Sequence, residues 1–310
     1  MAADPWFISR KPDVARPATA PASSTKSEPV TVIGGGPAGS LAALMLARRG
    51  YCVRLFEGRD DPREEASTEA EATAAAQALS GVDDASLAKT ASASKRSINL
   101  ALSHRGLCAM RRVDPSLAER VLADAVPMRG RIIHGADGKL TLQPYGVEED
   151  EVLYSIGRQA INVFLLEQLR AAEALPAGTP GSVASTFGAK LRSAARDGSA
   201  EFETAGGRVS CGPGRVLGCD GAFSATRKAM GRMARLSVSL EYIDHGYKEL
   251  VMEQAPGGGY RMPREGLHIW PGSEVMLIAL PNTDGSFTCT LFGDFKVLEA
   301  LQTEEQVQLK

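Results

Sequence analysis

The rhythm of apolar and polar residues changes several times along this chain of 310 residues. Residues 30–33, VTVI, run without alternation, the pattern of a strand covered on both faces. A glycine cluster follows, and then an alanine- and leucine-rich stretch over Gly39–Gly50 with helical character. Cys52–Phe56 reads as a second strand that ends at Glu57, which completes a βαβ opening. Residues 158–173, RQAINVFLLEQLRAAE, place apolar positions at helical spacing. Val216–Cys219 is a short strand running into DGAFSATRKAM, a second strand–turn–helix step. Residues 267–292 alternate over short runs separated by the turn signals PGS and NTDGS, which predicts an antiparallel meander. The pattern predicts the α/β class: a Rossmann-type dinucleotide domain joined to an antiparallel β-sheet layer.

Two segments lack periodicity. Residues 1–28 are rich in Pro, Ala, Ser and Thr and read as a disordered tail. Arg10, Lys11, Arg16 and Lys26 outnumber Asp4, Asp13 and Glu28 there, yet no amphipathic arginine-rich helix accompanies them. Residues 60–94 carry few large apolar side chains and read as an exposed insertion. The predicted organisation is a tail at 1–28, a nucleotide domain at 29–235 that contains the insertion and a substrate-region piece at 127–146, a β-sheet substrate layer at 236–295, and the start of a truncated helical segment at 296–310.

Composition narrows the partners. Lysine and arginine number 35 against 37 aspartates and glutamates, a net charge of −2, which gives no reason to expect nucleic acid as a partner. Five cysteines without a CxxC pair point to buried thiols in a reducing, intracellular compartment. No run of 18 apolar residues is present, so no membrane span is expected within the chain. Among four histidines, His104, His134, His245 and His268, no pair has metal-ligand spacing; all four read as structural, and no metal is expected.

Gly34, Gly36 and Gly39 fit G-x-G-x-x-G. The first allows a tight turn, the second lets the backbone approach a pyrophosphate, and the third lets helix and strand pack closely. The pyrophosphate then meets the positive helix N-terminus, with Ala38 in the same turn. Glu57, at the end of the next strand, is placed to accept from a ribose 2′-OH and disfavours a 2′-phosphate, so NAD or the adenosine half of FAD is expected, flanked by Phe56, Gly58 and Arg59. The Arg59 side chain could lie over the adenine, reach a phosphate or stay on the surface. Asp220, after a second apolar strand and before a glycine turn, suits a ribitol or pyrophosphate-side hydroxyl of an extended flavin. An NAD dehydrogenase has no need of that step, so FAD is the predicted cofactor.

RSINLALSHRG (96–106), PMRGRIIH (127–134), QPYG (143–146), GCDGAFSATR (218–227), HGYKEL (245–250), LHIWP (267–271) and IALPN with SFTCTLF (278–292) make the chain resemble the flavoprotein aromatic hydroxylases, and within them the kynurenine 3-monooxygenase family. The resemblance runs from about Val30 to Phe295. It implies the flavoprotein hydroxylase fold, bound FAD, NADPH as a transient co-substrate without a second Rossmann domain, O2, and hydroxylation of L-kynurenine ortho to its amine, a step of tryptophan degradation toward NAD. The chemistry would be flavin-borne, with no catalytic side chain. In the complete protein it implies the mitochondrial outer membrane, reached through a C-terminal region that this chain lacks.

The resemblance also implies site residues. Arg131 would bind the substrate carboxylate through its guanidinium fork. Arg129 would face the same side of a strand, and residue pattern alone does not separate the two. Tyr145 would bond the same carboxylate. Arg158 and the backbone of Ala101 would contact the flavin. Met276, Ile278 and Leu280 share one face by the two-residue period, and Leu267 and Phe292 match family positions on the same wall, an apolar lining for an aromatic substrate. The chain departs from the family where a GD-type motif should follow the meander; Gly293-Asp294-Phe295 is not followed by a glycine- and alanine-rich helix. It thus looks like the N-terminal two-thirds of such an enzyme, and residues 1–310 alone are expected not to be a working hydroxylase. A flavin hydroxylase of another aromatic, and a non-catalytic nucleotide-binding remnant, are the alternatives.

Overall fold

The computed structural model describes residues 28–64, 99–148, 151–234 and 236–301. The expected tail, apart from Glu28, and the part of the expected insertion beyond Glu64 lie outside the described residues, as do residues 302–310.

Strand β1 (Val30–Ile33) leads into α1 (Pro37–Arg48) and β2 (Val53–Phe56). Helix α1 begins earlier than the expected Gly39, because Pro37 at its first turn suits the fixed backbone angle there and Gly36 serves as N-cap. It ends at Arg48 rather than Gly50. Gly50 sits at φ +82, and the Gly50 and Tyr51 N–H groups close back onto the Ala47 and Leu46 carbonyls at 2.8 and 3.1 Å, a glycine stop. Strand β3 (Asn99–Leu102) is followed by α2 (His104–Val113), α3 (Pro115–Ala123) and β4 (Val126–Met128). The hairpin β5 (Gly130–His134) and β6 (Leu140–Pro144) precedes β7 (Leu153–Gly157). The helical run expected over 158–173 divides into α4 (Arg158–Glu167) and the short α5 (Arg170–Glu173). Next come β8 (Val183–Thr186), then β9 (Lys190–Ala194), β10 (Ala200–Thr204) and β11 (Gly207–Cys211). The second strand–turn–helix step is β12 (Arg215–Gly218) and α6 (Ala225–Met233), the strand one residue earlier than expected. The chain closes with β13 (His245–Met252), β14 (Gly266–Pro271), β15 (Val275–Pro281), β16 (Phe287–Asp294) and α7 (Phe295–Ala300), which Asp294 caps through the Lys296 N–H.

The parallel sheet has the order β12-β1-β2-β8. Its central strand is buried throughout because both faces are covered. On one side Val32, Val53 and Leu55 pack with Ala43, Leu44, Leu107, Met110, Leu117, Leu165 and Leu166 from the helices. On the other, Ile33 and Phe56 pack against the sheet β11-β10-β9, where the Phe56 and Phe202 rings stack with centroids 3.9 Å apart. That small sheet carries no sequence motif.

The β-layer is larger than the expected meander. β14, β15 and β16 do pair antiparallel, but the sheet has six strands in the order β13-β16-β15-β14-β5-β6, and β14 pairs parallel to β5. The substrate-region piece at 127–146 therefore enters the same sheet. One expectation fails in the nucleotide domain: the start of the supposed exposed insertion is held tightly. Arg63 is 6 % exposed, and its guanidinium meets Asp61 at 2.7 Å, Glu173 at 2.9 Å and the Leu166 carbonyl at 3.2 Å, which ties this segment to α4 and α5.

Candidate functional site

The three glycines of the first turn do different work. Gly34 lies at φ +105, and a Cβ there would stand 2.5 Å from the Cys219 carbonyl carbon and 2.7 Å from the Asp220 nitrogen, so it lets β1 and the end of β12 meet. A Cβ on Gly39 would strike the Gly34 carbonyl oxygen and lie 3.2 Å from the Cys219 side chain, so it lets α1 sit on the turn. A Cβ on Gly36 would meet nothing within 4 Å. Gly36 caps α1 without a side-chain hydrogen bond and without acids in the first turn, so the free N–H groups and the helix dipole face open space. That is an anion cradle which a methyl group would fill.

Glu57 closes the turn. It is 8 % exposed, its Oε2 accepts from the Gly35 N–H at 2.6 Å, and its Oε1 accepts from the Arg59 N–H and Nε at 3.0 and 2.9 Å. Burial alone would raise this carboxyl; the bonds from Arg59 and Gly35 outweigh it and hold the group below its ordinary value, ionised at neutral pH. Arg59 is thereby directed by Glu57, although its side chain is 66 % exposed.

A cleft of about 950 Å³ opens beside this turn. Pro37, Glu57, Gly58, Arg59, Arg158, Asn162, Lys190, Arg192, Glu203 and Glu249 are among its lining residues. Two helices begin at it: Pro37 opens α1 and Arg158 opens α4, and both are capped by a glycine, Gly36 and Gly157, with no side chain on the first N–H groups. Two positive helix ends, Arg59 and Arg158 suit a pyrophosphate, and the anionic Glu57 suits ribose hydroxyls. The residues present therefore fit a dinucleotide. Of the other predicted cofactor residues, Ala38 is exposed at the start of α1, and Ala101 is exposed on β3 opposite Ser155. Neither they nor Asp220 line the cleft. Asp220 is engaged locally: its Oδ1 accepts from the Ser224 hydroxyl at 2.6 Å and its Oδ2 from the Thr226 N–H at 2.9 Å, which fixes the start of α6. Burial opposes its charge, and these bonds prevail and lower its pKa. The Phe56 ring is 5 % exposed and lies in the core against Phe202, while its carbonyl serves the turn, accepting from the Gly34 N–H at 2.7 Å.

The predicted substrate residues gather on the six-stranded sheet. Strand register places Arg131 beside Leu267, Ile269 beside Ile278, Ile278 beside Thr290 and Met276 beside Phe292, all on one face. Met128, Tyr145 and Leu280 form a buried cluster against which Leu267, Ile278 and Leu153 pack. The outer end is more open, with Met276 40 % exposed. The Arg131 guanidinium lies 5.2 Å from the centre of the Tyr145 ring. Arg129 instead precedes β5, and its backbone holds Glu265 and Tyr145. Tyr145 is 9 % exposed and its hydroxyl has no hydrogen-bond partner. Burial raises its pKa against the pull of Arg131, so it stays a protonated donor. Glu249 belongs to the same sheet face, paired through Thr290 to Ile278, and also lines the nucleotide cleft. The wall and the cleft thus share a boundary.

The far face of the sheet holds a pair that spacing did not reveal. His134 and His268 are bonded ring to ring at 2.8 Å, and His268, fully buried, donates from Nε2 to the Pro263 carbonyl at 2.7 Å. No group of three metal-ligating side chains occurs among the described residues. No helix among them is long and apolar enough to cross a membrane. All five cysteines are free.

The sequence profile of the FAD dependent oxidoreductases matches residues 29–195. The chain is 38 % identical over 305 residues to kynurenine 3-monooxygenase of Cryptococcus neoformans, covering 91 % of this chain and 54 % of that protein. It is 38 % identical over 271 residues to the same-named protein of Myxococcus xanthus, covering 87 % and 51 %. In Drosophila melanogaster the identity is 39 % over 280 residues, covering 90 % and 52 %. The chain spans about half the length of these relatives, less than the two-thirds expected from the resemblance. Among solved structures, p-nitrophenol 4-monooxygenase PnpA from Pseudomonas putida superposes with a TM-score of 0.62 at 16 % identity, covering 91 % of this chain and 60 % of that one. PqsL of P. aeruginosa, solved with 2-aminobenzoylacetate, gives 0.62 at 16 %, covering 88 % and 63 %. At that identity the likeness establishes the fold.

Proposed function

The chain belongs to the FAD dependent oxidoreductases, and from that premise we propose that it carries the flavin-binding and ring-binding parts of an NADPH- and O2-dependent monooxygenase that converts L-kynurenine to 3-hydroxy-L-kynurenine. The observation that carries the substrate is the pair Arg131–Tyr145 beside an apolar wall: an exposed guanidinium over a ring whose buried hydroxyl lacks an acceptor. A carboxylate supplies that acceptor and the counter-charge at once, and the wall takes the aromatic ring. The relatives named kynurenine 3-monooxygenase support the same substrate.

When bound, FAD supplies electron transfer from NADPH to O2, with one oxygen atom going to the ring and the other leaving as water. The protein's own residues hold and orient. The N-termini of α1 and α4 with Arg158 receive the pyrophosphate, Glu57 holds ribose hydroxyls, Arg131 and Tyr145 fix the amino-acid end, and Leu267, Ile278 and Leu280 exclude water from around the ring. For Asp220, capping α6 rigidifies the second turn of the cofactor site; contact with the flavin's sugar chain stays part of this proposal.

The test is titration of the FAD-loaded chain with L-kynurenine, followed through the flavin absorbance, with product formation read by chromatography. Arg131→Met is expected to keep FAD and weaken kynurenine by about 2–5 kcal/mol, the loss expected when bound substrate covers the exposed Arg131 and desolvates the charge pair. Equal affinity of parent and variant, or loss of binding in Arg129→Met instead, overturns this assignment. Binding without product fits a chain that holds both ligands but lacks a complete oxygenase, and a simple phenol that binds more tightly than kynurenine overturns the substrate.

A further inference from the structure

One lining residue of the cleft has an unmet demand. Helix α4 buries the stripe Ile161, Asn162, Leu165 and Leu166. Three of these pack in the apolar core with the α1 side chains Ala43, Leu44 and Ala47. Asn162 is the polar member, 8 % exposed, and it lines the cleft one helical turn beyond Arg158. Its Oδ1 is buried and accepts no hydrogen bond. A buried amide oxygen without a donor bears its whole desolvation cost in the ligand-free protein. A leucine in the same stripe would bear none, so stability alone does not call for asparagine here.

Resting on the reading of this cleft as the flavin dinucleotide site, we infer that Asn162 is a cofactor ligand whose Oδ1 accepts a hydrogen bond from a sugar hydroxyl of the bound dinucleotide. A carbonyl-type oxygen selects a donor, and a pyrophosphate offers acceptors only. The donors on such a cofactor are the hydroxyls of its ribose and ribityl parts, the amine of the adenine and the N3–H of the flavin ring. Asn162 lies on the α4 side with Arg158 and Gln159, while Gly58, Lys190 and Ala205 form the other wall beyond Glu57. A pyrophosphate held between the N-termini of α1 and α4 would leave the adjoining sugar hydroxyls, rather than the more distant adenine edge or flavin ring, nearest this side.

The experiment compares the full chain with Asn162→Leu by two readouts: FAD affinity from quenching of flavin fluorescence, and urea unfolding of the FAD-free protein. The inference requires FAD to bind about five- to thirtyfold more weakly in the variant, the usual effect of one lost hydrogen bond, with the FAD-free unfolding midpoint equal to or above the parent's. A dissociation constant within twofold of the parent overturns it, as does a weaker affinity accompanied by a lower FAD-free midpoint, which marks a packing role. If the leucine variant does not fold, Asn162→Ala is read by the same criteria. ADP as a second probe locates the hydroxyl: a loss shared by ADP places it on the adenosine ribose, and a loss confined to FAD places it on the ribityl chain, both in support. A parent chain that binds no FAD overturns the reading of the cleft and this inference with it, whereas normal binding by both proteins overturns the inference alone.

Discussion

Replacing Gly36 with alanine should leave the ligand-free protein about as stable as before and yet remove most of its affinity for FAD. Gly36 has φ −68 and ψ 179, a conformation open to alanine, and an added Cβ meets nothing within 4 Å. Restricting the unfolded chain gains about 0.4–1 kcal/mol, and alanine is a poorer N-cap than glycine by a similar amount. The two offset each other. In the cofactor complex the same methyl occupies the cradle, and overfilling a packed contact costs about 1–3 kcal/mol, five- to 150-fold in Kd. Gly34→Ala must behave in the opposite way. Its Cβ would lie 2.5 Å from the Cys219 carbonyl carbon, against backbone that cannot move without parting β1 from β12, and φ +105 adds strain. Overpacking and backbone strain at about 1–3 kcal/mol each give about 2–6 kcal/mol, a large share of a typical stability of about 5–15 kcal/mol. Urea unfolding of the FAD-free proteins and flavin fluorescence titration separate the cases. A Gly36→Ala protein that unfolds as early as Gly34→Ala, or that binds FAD like the parent, refutes the division of labour within the turn.

Two further outcomes follow from buried charge. Arg63→Met strands Asp61 and Glu173 half-buried without their cation and should cost about 3–5 kcal/mol in urea unfolding; a loss below 1 kcal/mol would mean that water serves the two carboxylates equally well. Stability should also fall in two steps on acidification. Burial, with the neighbouring ring's charge adding to it at His134 and the Pro263 carbonyl opposing it at His268, keeps both pKa values below the ordinary 6.5, so the folded state holds them neutral and their contribution is lost as pH falls below that value. At Asp61 burial is outweighed by Arg63 and the pKa lies below the ordinary 3.8, so its contribution is present above that value and lost as pH falls through it. Urea midpoints measured from pH 8 to pH 3 check both steps, and a flat curve between pH 6.5 and 5 would exclude the first.

The parts of this molecule legible in the sequence are those where one local rule acts alone. The glycine turn, the acid after β2 and the alternation of β14 to β16 each follow from short-range sterics or from a two-residue period, and the register then places Leu267, Met276, Ile278 and Phe292 on the face the period implied. What stayed hidden depends on partners distant in sequence. The sheet β9 to β11 is polar on its outer face and supplies Lys190, Arg192 and Glu203 to the cleft with no motif to mark them. The His134–His268 bond spans 134 positions, beyond any spacing rule. At the end of β2 the strand's alternation decides which side chain faces the cleft: Glu57 is turned toward Gly35 and Phe56 toward Phe202, a partner far along the chain. Asn162 did have a signal, a polar residue within an apolar helical stripe, but that pattern names an anomaly and only the orphaned Oδ1 gives it a chemistry.

The parallel pairing of β14 with β5 is the topological feature on which the substrate reading depends. A meander alone would provide a wall without an anchor. By accepting β5 as a neighbour, the sheet brings Arg131 into register with Leu267, and the turn after β6 brings Tyr145 beneath it. With strands about 4.8 Å apart, Ile278 on β15 lies two spacings, about 10 Å, from the anchor, and the cleft-lining Glu249 on β13 lies four spacings, about 19 Å, away. On the proposed reading, the sheet would act as a ruler between a carboxylate site at Arg131 and the nucleotide cleft. A small carboxylate held at Arg131 ends before the middle of the wall. An aromatic amino acid held there, as proposed, would extend along it toward the cleft, and the strand order, rather than any one side chain, would set how far its ring could reach.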